Sequence, residues 1–460
     1  MKQSATKNRP AHRQTYMILA LLAFVCTTGQ VHGQDSPVDA KIDEFLSHLQ
    51  DNDQFMGSVT VLKAGKTLHN KAYGLVANGN EPIPANVKTK YRIGSITKTF
   101  TSVMILQLVE AGQLKLDDKL EKFFPKVANA KSITIDQMLL HRSGLGSITA
   151  DPDYLTWSQS TLTRSQLMEK IYSMPTRFEP DAKTEYSNNN YILLGFIIEE
   201  ITKQTYADSL QAKICEPLGL RNTYYGKKIS AADNEAASFK FDGQDWVVES
   251  ETDMSVPHGA GAIVSTSEDL TTFHTALFSE KLVTAKTLAL MKQQKEGMGR
   301  GLFSIPFGDK SALGHNGGID GFQSNLFTFP DDDVVVCVLG NGIVYSLNDV
   351  LLGILSRTFD VPHELPSFEI VEVEVEKLQR YEGVYSAVGF PLKITVKVEG
   401  TSLMAQATGQ SAFPLAANSE TEFRFQSAAI KMEFRQSTAG GKFDQFRFQQ
   451  AGTDLIFEKE

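Results

Sequence analysis

An apolar helix headed by a serine and a lysine constrains this chain more than any other feature. The segment Val103–Val109 is apolar nearly all round, and Gly112 ends the predicted helix as a C-cap. A helix that is apolar on every face has to be buried, so a large core must surround it. Ser95 falls at the start of this helix, and Lys98 follows one turn later on the same face. Two reactive side chains are therefore predicted at the end of a central helix.

The chemistry of this pair is specific. A serine hydroxyl is a poor nucleophile unless a neighbouring base takes its proton. A lysine can be that base only when burial or nearby positive charge lowers its pKa. Free N–H groups at a helix start also favour negative charge that develops on a bound oxygen. We interpret Ser95 as a nucleophile and Lys98 as its proton partner, because a lysine entering a buried helix has no simple packing role.

Two further segments carry candidate groups. Tyr186 and Asn188 precede an apolar helix; a phenol beside a lysine ammonium forms its phenolate more readily and can relay protons, and an amide can orient a carbonyl. The glycine-rich segment with His315, Gly317 and Gly318 precedes a strand, and glycines let a backbone approach a ligand closely. Taken alone, each segment is equally an ordinary turn; together with the serine–lysine pair they indicate a catalytic site.

In this order and separation, the three segments resemble the serine β-lactamase and penicillin-binding superfamily. The closer similarity is to its branch of class C β-lactamases, DD-peptidases and esterases, and it covers roughly residues 40–355. The resemblance implies a two-region fold: an α/β region, with an antiparallel sheet flanked by helices, beside an all-α region. The catalytic cleft is expected between the two regions.

The resemblance also implies residue roles. Ser95 would be acylated, Lys98 would exchange its proton, and Tyr186 would be the second acid or base. The expected substrate-binding groups are the Asn188 amide, the strand motif of His315 and Gly317, and an oxyanion hole formed by the backbone N–H groups of Ser95 and Gly318.

Two positions depart from the family pattern. His315 stands where typical β-lactamases have lysine, as in some DD-peptidases, D-aminopeptidases and esterases, and this argues against efficient β-lactam hydrolysis. Asp181 stands where the family often has glycine, and the sequence offers no reason for it.

A proline-containing break divides the chain. Residues 36–360 read as one mixed domain, and Pro362 and Pro366 indicate a linker over 361–369. Residues 370–460 contain many short alternating segments, which predict a small closed antiparallel β-barrel. The first predicted strand is Ile370–Glu376, where valine and glutamate alternate. This part resembles the lipocalin-like domain that follows many such hydrolases.

The N-terminal segment reads as a secretory signal. Basic residues precede an apolar run from Tyr16 to Cys26, which is too short to span a membrane. A cleaved signal over residues 1–33 predicts a periplasmic or secreted protein without a membrane span in the mature chain. Lipidation at Cys26 is the alternative.

Composition narrows the cofactors and partners. The net charge of −9 argues against nucleic acid as a partner. No metal-binding His or Cys pattern and no nucleotide fingerprint occurs, so neither a metal nor another cofactor is predicted. Cys215 and Cys337 remain after the signal segment, either as a disulfide or as two buried thiols.

The predicted function is a serine hydrolase that acts through an acyl-enzyme on an amide or ester. The favoured substrate is a D-amino-acid peptide, in the manner of a DD-carboxypeptidase or D-aminopeptidase, followed by a small ester. Two alternatives stay open: a penicillin-binding receptor or peptidoglycan-fragment binding protein without efficient turnover, and a β-lactamase or acyltransferase.

Overall fold

The computed structural model describes residues 36–79, 81–425, 430–438, 440–450 and 453–460. The predicted signal segment over residues 1–33, including Cys26, lies outside this part of the chain. Among the helices within it, none has both the length and the apolar content needed to cross a bilayer.

The helices are numbered in chain order. They are α1 (Pro37–Asp51), α2 (Thr97–Glu110), α3 (Ile135–Leu139), α4 (Tyr154–Trp157), α5 (Arg164–Ser173), α6 (Asn188–Thr202), α7 (Tyr206–Leu210), α8 (Glu216–Leu218), α9 (Ser267–Phe278), α10 (Ala285–Lys292), α11 (Leu347–Thr358) and α12 (Val375–Leu378).

The strands preceding residue 360 build the catalytic region. They are β1 (Phe55–Lys63), β2 (Lys66–Tyr73), β3 (Leu75–Ala77), β4 (Ile83–Pro84), β5 (Tyr91–Arg92), β6 (Tyr224–Tyr225), β7 (Phe239–Phe241), β8 (Trp246–Val248), β9 (Ile263–Ser265), β10 (Phe303–Phe307), β11 (Lys310–Ile319), β12 (Phe322–Phe329) and β13 (Val334–Ile343).

The later strands form the barrel. They are β14 (Gly383–Ser386), β15 (Ile394–Glu399), β16 (Ser402–Ala407), β17 (Phe413–Ala417), β18 (Glu422–Phe425), β19 (Ile430–Gln436), β20 (Phe443–Gln450) and β21 (Thr453–Lys459).

The main sheet is covered on both faces. Its antiparallel strands run in the order β10-β11-β12-β13-β1-β2, and β7 and β8 extend it from β13. Side chains of a strand alternate between faces. In β13, Val336 and Val338 pack with α1 and α11, whereas Cys337 and Leu339 pack toward α9 and the helical region. This explains why β13 reads as an unbroken apolar run.

Helix α2 is the centre of the helical region. Eleven of its 14 residues are buried, which confirms the prediction of a central helix. Helices α3, α6, α7 and α9 pack around it in one apolar core, and the short sheet β5-β9-β6 lies at its N-terminal end. The predicted two-region fold, an α/β layer beside helices, is confirmed.

The C-terminal region is a closed eight-stranded antiparallel barrel, as predicted. The expected strand over Ile370–Glu376 is wrong. Residues 370–374 are irregular, and Val375 already begins α12. Pairing of β14 with β21 closes the barrel, so no free edge remains for another strand. Val371 and Val373 instead pack against the barrel core as extended chain, which produces the same alternation.

Both remaining cysteines are free and buried. Cys215 lies in the helical region and Cys337 in β13, so the second of the two sequence interpretations is correct. Burial raises the pKa of Cys215 to about 12 and raises that of Cys337 as well, so neither thiol is reactive.

Candidate active site

The turn before α2 brings Ser95 to the surface of a cleft. Strand β5 ends at Arg92, and Gly94 adopts a φ of +50°, which only glycine adopts readily. A Cβ on Gly94 would also lie 2.7 Å from the backbone N of Gly318, so the strand β11 lies directly on this turn. Ser95 is partly exposed, whereas the helix that follows it is buried.

Lys98 is fully buried and has three polar neighbours. Its Nζ lies 2.9 Å from Ser95 Oγ, 2.8 Å from Asn188 Oδ1 and 2.8 Å from the Ala260 carbonyl oxygen. Burial lowers the pKa of Lys98 well below its ordinary value, which favours the neutral amine. A neutral amine has two N–H donors and one lone pair. Because Asn188 Oδ1 and the Ala260 carbonyl can only accept, the lone pair faces the Ser95 hydroxyl.

Tyr186 lies on the other side of Ser95. Its phenol interacts with the Ser95 hydroxyl, and its ring stacks on His141 at 4.3 Å between centroids. Lys98 Nζ lies 4.8 Å from the Tyr186 ring centroid. Burial raises the pKa of Tyr186, and the bond with Ser95 opposes this only in part. The raised pKa opposes the expectation of a readily formed phenolate, because burial favours the neutral lysine amine and the protonated phenol.

Asn188 lies at the start of α6, and both polar atoms of its side chain form hydrogen bonds. Its Oδ1 accepts the bond from Lys98, and its Nδ2 donates to the hydroxyls of Ser147, at 3.4 Å, and Thr149, at 3.3 Å. Its side chain also lines the cleft beside Ser95. The sequence suggested only a substrate contact, and the contact with the lysine is an addition.

His315 lies behind the cleft wall and is neutral. Its ring is buried against Phe303, with centroids 4.0 Å apart, and its Nδ1 bonds the Asn316 carbonyl. Burial lowers the pKa of His315 to about 3. The position that holds a lysine in typical β-lactamases therefore contributes no positive charge here. The His315 and Tyr186 rings are 6.4 Å apart.

Gly317 and Gly318 bring strand backbone against the turn that carries Ser95. A Cβ on Gly317 would lie 2.2 Å from the Ile93 carbonyl oxygen and 3.0 Å from the Ser95 backbone N. Gly318 lines the same cleft as Ser95. The backbone amides of Ser95 and Gly318 thus belong to two segments that touch, as a pair of donors for one oxygen requires.

Some groups of the site carried no clear sequence signal. The Ala260 carbonyl that accepts from Lys98 gave no sequence signal, because every residue has a backbone carbonyl. His141 is a buried structural histidine: its Nδ1 accepts from the Ser187 backbone N–H at 3.1 Å, and burial lowers its pKa. The ring stacking that holds Tyr186 could not be read from the spacing of these residues.

A cavity of about 340 Å³ adjoins Ser95, a size suited to a small ligand. Within the described part of the chain, no group of three metal-ligating side chains is arranged to hold an ion. The wall of this cavity is formed by residues of the turn, α4, α6 and β11 together with the segments around 250 and 260.

The sequence profile of the Beta-lactamase family matches residues 42–345, more than half of the chain. The chain belongs to this family. Penicillin-binding protein 4* of Bacillus subtilis (strain 168) is 25% identical over 426 residues, which cover 84% of this chain and 91% of that protein.

Two solved structures extend the comparison. A D-amino acid amidase from Ochrobactrum anthropi SV3 is 25% identical with a TM-score of 0.61, over 71% of this chain and 99% of that one. An octameric penicillin-binding protein homologue from Pyrococcus abyssi is 25% identical with a TM-score of 0.64, over 91% of this chain and 99% of that one. This member of the Beta-lactamase family is a serine hydrolase.

Proposed function

We propose that this enzyme hydrolyses amides or short peptides of D-amino acids through an acyl-enzyme on Ser95. One observation carries the proposal: the buried Lys98 Nζ lies 2.8 Å from Asn188 Oδ1 and from the Ala260 carbonyl oxygen, which can only accept, and 2.9 Å from Ser95 Oγ. A neutral amine in this place has its lone pair left for the Ser95 hydroxyl. A base of this kind is what a serine nucleophile requires.

The proposed steps balance in protons. Lys98 takes the Ser95 proton as Oγ attacks the substrate carbonyl, and the N–H groups of Ser95 and Gly318 bind the resulting oxyanion. Tyr186, which keeps its proton at rest, donates it to the departing amine and regains one from Lys98. The carbon–nitrogen bond breaks and an acyl-serine remains. Water then attacks the acyl carbon while Lys98 takes its proton. The ester bond to Ser95 Oγ breaks, Oγ regains a proton from Lys98, and the acid is released.

The substrate class rests on two supports. The D-amino acid amidase shares this fold over almost its whole length, and penicillin-binding protein 4* matches most of this chain. The neutral His315 also removes the positive charge that typical β-lactamases have at this position. We therefore propose amide substrates of D-amino acids ahead of β-lactams, with small esters as the next class.

The test combines labelling with a substrate panel. A fluorophosphonate should label Ser95, as mapped by mass spectrometry, and Ser95→Ala should abolish both labelling and turnover. The panel should contain D- and L-phenylalanine amide, a D-Ala-D-Ala peptide, nitrocefin and a p-nitrophenyl ester. Undiminished turnover in Ser95→Ala contradicts the mechanism. Labelling with a burst but no steady turnover of any compound would instead identify a receptor.

We also propose that the enzyme acts outside the cytoplasm after removal of residues 1–33, and that residues 36–360 and 370–460 are separate domains joined by 361–369. The apolar run of residues 16–26 supports the first point, and the closed barrel supports the second. N-terminal sequencing of the protein recovered from its native compartment tests the cleavage. Limited proteolysis tests the division, since cuts should fall within or next to residues 361–369.

A further inference from the structure

The cavity beside Ser95 is walled by acidic rather than basic side chains. Glu249 and Asp320 line it, and neither lysine nor arginine is among its described lining residues. A substrate with a free carboxylate would therefore meet no cation there, whereas a substrate with an ammonium group would meet carboxylates. The charges behind the wall decide how strong this preference is.

One of the two lining carboxylates is already occupied. Arg92 is buried, and its guanidinium donates to Asp320 at 2.8 Å and to Glu251 at 2.6 Å. Asp320 also accepts from the backbone N and the hydroxyl of Thr252. Two carboxylates thus share one guanidinium, and this cluster carries one net negative charge before Glu249 is counted.

Glu249 adds a second negative charge, and its carboxylate is free. Among the described residues, none gives the Glu249 side chain a hydrogen bond or an ion pair. The side chain is half-buried, and its stem packs over Gly321: a Cβ on Gly321 would lie 3.2 Å from Glu249 Cγ. The backbone N of Glu249 donates to the Ser238 carbonyl, which fixes the residue at the cavity edge.

The borders of the same cavity are apolar. Leu155, on α4, is 75% exposed and lines the cavity. Ile148, Ile192 and Ile319 also line it. Large aliphatic side chains exposed at the border of a binding site can bury an apolar group of a ligand. The wall therefore combines a free carboxylate with apolar surface.

We infer that Glu249 receives the protonated α-amino group of the substrate, and that the enzyme removes an unblocked, apolar D-amino-acid residue from the N-terminal side of an amide bond. This inference rests on the proposed function and narrows it, since it assigns aminopeptidase or amidase polarity and disfavours carboxypeptidase polarity. The ammonium group would form a charge-assisted bond with Glu249 next to the acidic cluster of Arg92, Asp320 and Glu251.

The experiment compares D-phenylalanine amide with N-acetyl-D-phenylalanine amide on the full chain. The free amine should be the better substrate. Glu249→Gln should raise KM for the free amine by about tenfold while kcat changes little, because the lost bond is equal in ground and transition states. KM for the acetylated amide should stay constant. Glu399→Gln, the same change at an exposed position at the end of barrel strand β15, should leave both KM values unchanged.

The outcomes separate the two claims. Equal KM values for the free amine in wild type and Glu249→Gln overturn the inference, as does faster cleavage of an N-acylated D-Ala-D-Ala peptide than of D-phenylalanine amide. In either case fluorophosphonate labelling of Ser95 and turnover leave the proposed function standing. Loss of that labelling in Glu249→Gln would show that the residue shapes the site itself and would also overturn the inference. If the wild type shows neither labelling of Ser95 nor turnover, both claims are overturned.

Discussion

The core of the catalytic region and the core of the barrel are built differently. The catalytic region buries the Lys98 amine, and some of its buried histidine and asparagine atoms have no hydrogen-bond partner, among them His258 Nε2, His315 Nε2 and Asn325 Nδ2. In the described barrel strands, every buried side-chain N or O has a partner. An unpartnered buried polar atom costs stability. The comparison shows that the catalytic region keeps costly polar groups in its interior.

The barrel interior is dominated by rings. Phe446 stacks on Phe457 at 5.0 Å, and Tyr381 stacks on Phe434 at 4.3 Å. The hydroxyls that enter this core are satisfied, since Tyr385 donates to the Tyr381 carbonyl at 2.8 Å. We therefore expect the barrel core to contribute to the stability of the fold and not to catalysis. The predictions that follow separate the two roles.

The largest effect is expected at Lys98. Lys98→Met should lower kcat/KM for D-phenylalanine amide by about 10²–10⁴-fold, the usual contribution of a positioned base. Steady-state kinetics on the folded variant measures the change. Lys397→Met, the same exchange on an exposed barrel position, is the matched control and should keep full activity. Wild-type activity in Lys98→Met would remove the base from the mechanism.

A barrel ring should affect stability and leave catalysis intact. Phe446→Ala should destabilise the fold by about 3–5 kcal/mol, because Phe446 is fully buried and truncation leaves a cavity. Denaturant unfolding measures this value. The folded fraction should keep the wild-type kcat. Val388→Ala, at a side chain 99% exposed, should change neither quantity. A fall in kcat for folded Phe446→Ala would show that the barrel shapes the active site.

The buried amine should also give stability a specific dependence on pH. Between the lowered pKa of folded Lys98 and its ordinary value of 10.5, the unfolded chain binds one proton more than the folded chain. The free energy of unfolding attributable to Lys98 therefore rises with pH, by about 1.4 kcal/mol per unit. Wild type should gain this amount relative to Lys98→Met between pH 8 and pH 9. Parallel unfolding curves at both pH values would show that folded Lys98 is charged.

The smallest effect is expected at Asp181, the position where the family often has glycine. Residue 181 has a φ of +69°, a conformation that favours glycine, as the family often has there. The Asp181 carboxylate forms ion pairs with Arg142 at 2.5 Å and Lys295 at 2.8 Å, which accounts for an aspartate at this position. Asp181→Gly should change stability by less than about 1 kcal/mol, because the carboxylate is half-exposed and the backbone strain is relieved.

Asp181→Ala is the comparison variant at this position. It loses the two ion pairs and keeps the left-handed backbone, so it should be less stable than Asp181→Gly by about 1 kcal/mol. Chemical denaturation of both variants measures the difference. The reverse order would mean that backbone strain at residue 181 is unimportant.

Local geometry decided what could be predicted from sequence. Ser95 and Lys98 lie one helical turn apart, so the apolar pattern around them suffices to pair their side chains. Tyr186 and His315 reach the same site through tertiary packing, and only the family resemblance related them. The Ala260 carbonyl was beyond prediction, because a backbone acceptor has no side-chain signature.

The barrel shows the limits of period-two patterns. The alternating segment over Ile370–Glu376 predicted a strand, yet extended chain lying on a barrel buries every second residue in the same way. Strands β14 and β17 have weak patterns of their own, because β14 is only four residues long and β17 contains Pro414. Closure of the barrel was nevertheless predictable from the number and spacing of the remaining segments.

The tight contact of Gly94 and Gly317 with their neighbours has an evolutionary consequence. The two amides expected to stabilise the oxyanion belong to the polypeptide itself, so exchanges of side chains cannot delete them, and only bulk at the adjoining glycines would displace them. Recognition depends on Glu249 and the aliphatic border, which single codon changes can replace. Descendants of such a scaffold are thus free to acquire new selectivity while inheriting one unaltered reaction.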